Sequence, residues 1–171
     1  GTLWIGTLEG VSLINPSTDT VFRLLDLHES EPDPTRGVSS AKIVHSIRED
    51  SKGNMWFATN GGAHIYDPGT GAITSLSEQE GLCNNSVNDI LEDQDGNMWF
   101  ATHHNGICYW DGSSFQQISS EIGNFGTEVW SLYEDQSGNL WFPVENEGIY
   151  RYSGSSLHNF YKKEGLPMGG V

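Results

Sequence analysis

Positive charge is scarce in this sequence: 8 Lys and Arg stand against 23 Asp and Glu, a formal net charge of −15 over 171 residues. A field of that sign repels phosphate backbones and anionic headgroups, which excludes nucleic acid and acidic membrane surfaces as partners. Long apolar runs are missing too, since nothing approaches the roughly 20 residues that span a bilayer. The opening Gly1-Thr2-Leu3-Trp4 has neither a basic n-region nor an apolar h-region, so it does not read as a signal peptide. Cysteine is limited to Cys83 and Cys108. With no CxxC spacing and too few thiols for a disulfide framework, they read as small buried hydrophobes or surface thiols. No Gly-x-Ser-x-Gly, His-Glu-x-x-His or Walker-type loop occurs.

Glycine and aromatics are abundant instead. Gly is 21 of 171 residues and aromatics are 11%, while charged residues are 18% against a usual ~25%. Many turns with many rings is an all-β profile.

The architecture follows from an internal repeat. Leu3-Trp4-Ile5-Gly6-Thr7, Met55-Trp56-Phe57-Ala58-Thr59, Met98-Trp99-Phe100-Ala101-Thr102 and Leu140-Trp141-Phe142-Pro143-Val144 are versions of one segment, with tryptophans 52, 43 and 42 residues apart. Periods of about 40–50 residues belong to propeller blades or long helical repeats. Gly, Asn, Asp and Ser clusters interrupt each period too often for amphipathic helices. The expected fold is a β-propeller segment of four tandem four-stranded antiparallel blades, nearly without helix.

Each period divides into four strands. Strand A is 44–50, 87–93 and 129–135; strand B carries the Trp; strand C is 63–67, 107–111 and 149–153; strand D is 72–77, 114–119 and 156–161. Gly53-Asn54, Gly96-Asn97 and Gly138-Asn139 supply the positive φ of a tight A–B hairpin. In strand A, Ile47, Ile90 and Leu132 follow Val44, Val87 and Val129 by three; packing on both faces accounts for the missing alternation. The blade units are 1–27 (incomplete), 43–77, 86–119 and 128–161, and 162–171 begins another, all in one propeller segment. Either the chain is a piece of a longer propeller or its tail completes the first blade. Raw blade edges would favour a homodimer that closes an eight-bladed ring.

The pattern V-x-x-I-x-E-D-x-x-G-N-x-W-F-A-T, with a Gly-rich turn, a short Y-D strand and a G-L-x-x-N-x-V link, is clearest from Gly81 through Thr102. It resembles the two-component regulator propeller repeat, over nearly the whole chain. The resemblance implies an extracytoplasmic sensor region of a bacterial hybrid two-component system, on the periplasmic or extracellular side of the inner membrane. Such regions are often paired seven-bladed propellers, and many respond to glycan fragments. Here there are four units and no visible membrane helix, kinase or DNA-binding part.

The Glu-Asp before each hairpin suggests a calcium loop, but an EF-hand needs Gly at position 6 and Glu at position 12. Counted from Asp93 those places hold Met98 and His104. The Asp side chains are expected to accept hairpin N–H groups instead. The tryptophans at 4, 56, 99 and 141, and Trp110, recur at fixed positions and read as packing between blades.

His45, Asn88 and Trp130 share one strand position and differ from blade to blade. Strand direction puts them on one face with the B–C turns, which also vary: Leu8-Glu9, Asn60-Gly61, His103-His104-Asn105 and Glu145-Asn146-Glu147. The constant hairpins lie on the opposite face. Variable loops on one face are free for recognition. The ligand-binding candidates are His45, Asn60, Asn88, His103, His104, Asn105, Trp130, Glu145, Asn146 and Glu147. A long D–A link with His28, Glu29, Glu31, Pro32, Asp33 and Pro34 overhangs them or is a solvated acidic loop. As neighbours on an extended chain, His103 and His104 should point apart and not share a metal.

Binding, with no cofactor, metal or catalysis, is the leading expectation: a small polar ligand such as a glycan fragment, stacked on Trp130, with no direct membrane contact. The alternatives are a lyase similar to the streptogramin-inactivating lyases, propellers with related repeats that use a His and a divalent metal, and a purely structural interaction repeat.

Overall fold

The computed structural model describes residues 1–25, 43–118, 128–144 and 147–160. They form fifteen strands in four antiparallel sheets. The first sheet holds β1 (Leu3–Thr7), β2 (Gly10–Asn15) and β3 (Thr20–Leu25). The second holds β4 (Val44–Glu49), β5 (Met55–Thr59), β6 (Gly62–Tyr66) and β7 (Ile73–Leu76). The third holds β8 (Val87–Glu92), β9 (Met98–Thr102), β10 (Ile107–Trp110) and β11 (Phe115–Gln117). The fourth holds β12 (Tyr133–Glu134), β13 (Leu140–Val144), β14 (Gly148–Tyr152) and β15 (Leu157–Phe160). Each sheet is an up-and-down meander in chain order. This is the propeller blade expected, with three strands in the first described sheet. The long link, residues 161–171 and the ends of the first and last strand D lie outside the described residues.

The core lies between sheets, and strand B shows why it has no polar face. In β5, Trp56 and Ala58 enter one cluster with Val87, Ile90, Met98 and Phe100 of the third sheet. Met55 and Phe57 point the other way and meet Val11 of the first sheet. The third sheet repeats the arrangement, with Trp99 and Ala101 packed on Leu140, Phe142 and Val144 of the fourth. Side chains still alternate with period two, but both directions are covered by neighbouring blades, so every position before the closing Thr is apolar. Trp110 packs on Trp56 with ring centroids 6.0 Å apart, as its repeat position predicts.

The three-residue step in strand A has a different cause from two-sided packing. The β4–β5 register slips between Val44 and Ser46, and the β8–β9 register slips between Val87 and Asp89. His45 and Asn88 are therefore β-bulge residues, extra positions outside the ladder. Inserting one residue shifts a period-two pattern to a spacing of three. Strand A of the fourth sheet departs further, with Val129 and Val144 forming an isolated bridge and regular pairing resuming only at β12. There the buried Asp89 of the third sheet takes over, its Oδ2 accepting from the Leu132 N–H at 3.1 Å.

The Asp-x-x-Gly-Asn hairpins do what the sequence predicts, and more. Asp50 Oδ1 accepts from Lys52 N at 2.9 Å and Asn54 N at 2.8 Å. Its Oδ2 accepts from Asn54 Nδ2 at 2.9 Å and from the Trp56 indole N–H at 2.8 Å. Asp93 and Asp135 hold Trp99 and Trp141 in the same way, at 2.7 and 2.8 Å. One carboxylate thus closes the turn and satisfies the only polar atom of the inter-blade ring. The neighbouring Glu latches the blade to the one before it: Glu92 accepts from Ser51 Oγ at 2.7 Å, and Glu134 accepts from Gln94 N at 3.0 Å.

Candidate functional site

Strand β9 separates the two faces. Gly96 precedes its first residue and His103 follows its last. Five residues at ~3.3 Å each put about 16 Å between them. The A–B hairpins and the C–D turns at Asp67, Asp111 and Ser153 share one end of the sheets, the hairpin face. The bulges and the B–C turns share the other, the turn face.

On the turn face a threonine that recurs in the repeat fixes the first three B–C turns. Thr7, Thr59 and Thr102 donate through Oγ1 to the carbonyls of Gly10, Gly62 and Gly106 at 2.9, 2.8 and 2.8 Å. The residues that follow are Leu8, Asn60 and His103. Asn60 Oδ1 lies 2.7 Å from His45 Nε2 and accepts from Ser86 Oγ at 2.9 Å. It thereby joins the bulge of its own sheet to the strand start of the next. His103 occupies the equivalent place one blade on, and its Nδ1 pairs with Glu128, the residue in register with Ser86. Trp130 stands beside this pair, 47% exposed, with its ring 6.2 Å from that of His103. His45, Asn60, His103, His104 and Trp130 thus line one face, with Ser86 and Glu128 as additions that sequence reasoning missed. Their repeat register, just before the Val of strand A, is the signal that identifies them.

Several candidates serve the scaffold instead. Asn88 is 6% exposed and donates through Nδ2 to the Val129 carbonyl at 2.8 Å, tying the third sheet to the fourth. Asn105 has φ 71° and donates to the Cys83 carbonyl at 2.9 Å, so it shapes the turn. Glu147 accepts from the Tyr150 hydroxyl at 2.7 Å; burial first, then that acceptor, pushes the Tyr150 phenol up to about 12. Glu145 and Asn146 lie outside the described residues.

Two expectations are corrected here. His103 and His104 do not point apart: they sit in a bend, not an extended strand, and their rings meet edge-on at 4.5 Å. No group of three or more metal-binding side chains occurs among the described residues. The cysteines, read as separate thiols, form a disulfide, Cys83–Cys108, with Cα atoms 6.0 Å apart. The D–A link crosses beneath the turn face and presents Cys83 to strand β10, a meeting that a sequence separation of 25 conceals. The bond fastens the segment whose carbonyl holds Asn105.

The buried imidazole of His64 lies just behind this face. Its Nδ1 is 2.8 Å from Ser75 Oγ, and burial lowers its pKa to about 4.

Among known proteins, the description "two component regulator propeller" matches residues 37–61, 81–104 and 124–142, three successive copies of the repeat. No curated protein sequence matches the chain. Among solved structures, the extracellular domain assigned to the hybrid two-component system BT3049 of B. thetaiotaomicron is 28% identical, with a TM-score of 0.74 over 99% of this chain and 23% of that one. That of BT4673 is 21% identical, with a TM-score of 0.75 over 96% and 24%. Virginiamycin B lyase from Staphylococcus aureus is 22% identical, with a TM-score of 0.66 over 94% and 52%. The last two likenesses are of fold. The chain spans about a quarter of the two-component domains and about half of the lyase. On its three matched segments and its blade architecture, the chain carries the two-component regulator propeller repeat.

Proposed function

We propose that this chain is a ligand-binding segment of an extracytoplasmic sensor in a two-component signalling protein, holding a small polar ligand on the turn face without transforming it. The carrying observation is the bulge position. It lies outside the sheet ladder at His45 and Asn88, and the residue in register in the fourth sheet, Trp130, is left 47% exposed beside His103. An exposed ring beside the His103 imidazole, with the Asn60–Ser86 pair one junction away on the same face, suits a neutral saccharide, which offers an apolar face and hydroxyls together. Two observations support an extracytoplasmic setting: the Cys83–Cys108 disulfide persists in oxidising compartments, and the BT3049 relative is an extracellular domain.

A panel of neutral di- and oligosaccharides, screened by thermal shift, tests the proposal. A ligand specific for the folded state raises the melting temperature with concentration. Trp130→Ala should remove the response to any hit while leaving the unliganded melt within a degree or two. An equal shift in the variant would place the site elsewhere, and consumption of the sugar by the protein would replace binding with catalysis.

A further inference from the structure

On the hairpin face, between the third and fourth sheets, lies an open crevice of about 540 Å³. Three rings form part of its otherwise polar wall: Trp99, Tyr109 and Tyr152, with the Trp99 centroid 4.7 Å from Tyr109 and 5.8 Å from Tyr152. Its rim carries the carboxylates of Asp95, Asp111 and Glu134, and no Lys, Arg or His is among the lining residues. We propose that this crevice binds a small organic ammonium ion, against the three rings and under the acidic rim.

Three lines of reasoning converge. The first is size. The crevice falls within the ~300–1,000 Å³ range of small-molecule sites and far exceeds a bare metal ion, so its occupant has a body as well as a charge. The second is electrostatic. Asp111 stays ionised at neutral pH, because the Ser113 hydroxyl and then the Ser114 and Ser113 N–H groups hold its carboxyl down to about 2. Among the described residues Glu134 accepts from the Gln94 N–H, a neutral donor that cancels none of its charge. Ring faces carry the negative lobe of the quadrupole and attract ammonium groups in the same direction.

The third comes from the repeat. At the preceding junction, Lys52 occupies the register of Asp95, and Ile65 that of Tyr109. Blade packing therefore requires neither the acid nor the third ring. Both have been placed at one junction only among the second and third sheets, and both favour a cation. The site is remote from the turn face and independent of the ligand proposed there.

The test uses the full chain and tetramethylammonium chloride, with sodium chloride at matched ionic strength as the reference. Saturation transfer from aromatic protons to the probe methyls, with the dissociation constant read by titration, reports binding at the rings. The expected result is millimolar binding, weakened about tenfold in Tyr109→Ile and abolished in Asp95→Lys. These variants install the residues the second sheet already carries, and unchanged melts would confirm that both fold. Asp95→Asn gives a milder check without a new charge. Absence of transfer, equal affinity in all variants, or displacement of the probe by lower concentrations of calcium would overturn the proposal, the last by making the crevice an inorganic cation site.

Discussion

Removing the Cys83–Cys108 bond is the most quantitative perturbation the structure offers. The bond closes a loop with a sequence separation of 25. Chain-entropy reasoning for a loop of that size gives about 3.5 kcal/mol of stabilisation, exerted on the unfolded chain. Both residues are buried in the cluster joining the second and third sheets, so Ala at each would also lose some packing. At roughly 2–4 °C per kcal/mol for a chain of this size, the double variant Cys83→Ala, Cys108→Ala should melt about 7–14 °C lower. Calorimetry with and without a thiol reductant provides the assay. Reductant should bring the parent protein close to the variant and leave the variant unmoved. Two free thiols per folded, unreduced chain would refute the reasoning, and so would a variant melting within about 2 °C of the parent.

The hairpin and pH predictions test other parts of the scaffold. Asp93→Ala removes the acceptor of two N–H groups, an amide and the Trp99 indole, and should cost about 2–4 kcal/mol in urea unfolding. A loss under 0.5 kcal/mol would show that water replaces those bonds. For His64, burial depresses the folded pKa from 6.5 to about 4, so between those values the unfolded chain binds the extra proton. Stability should fall as pH drops through that window, by up to about 3 kcal/mol, and level off below it. His64→Gln should flatten the slope when unfolding free energy is plotted against pH.

The blade count and strand order were legible because a Trp recurring on strand B and an Asp-x-x-Gly-Asn turn repeat with a blade-length period. The strand A bulge was legible only as an unexplained spacing of three, since a displaced register and a doubly buried strand both erase alternation. Nothing in the sequence shows that Glu92 and Glu134 reach a neighbour about forty residues away. Asn88 shows why repeat register alone does not settle exposure. It aligns with the exposed Trp130, but its short amide turns inward and donates to the Val129 carbonyl. The Glu128 partner of His103 was hidden by the same logic, because sequence gives the register of a residue but not the blade it faces.

A residue lodged outside the ladder and turned to solvent has few structural obligations. Exchanging His45 for Trp should leave the flanking Val44 and Ile47 in register, because the backbone hydrogen bonds run past the bulge without it. Exposed positions of the turn face such as His45 and Trp130 can therefore change one blade at a time while the junctions beneath keep the same Trp, Asp and Glu contacts. Surface identity and folding are carried by separate alphabets in this repeat, so the turn face can diversify here without a search for compensating core changes.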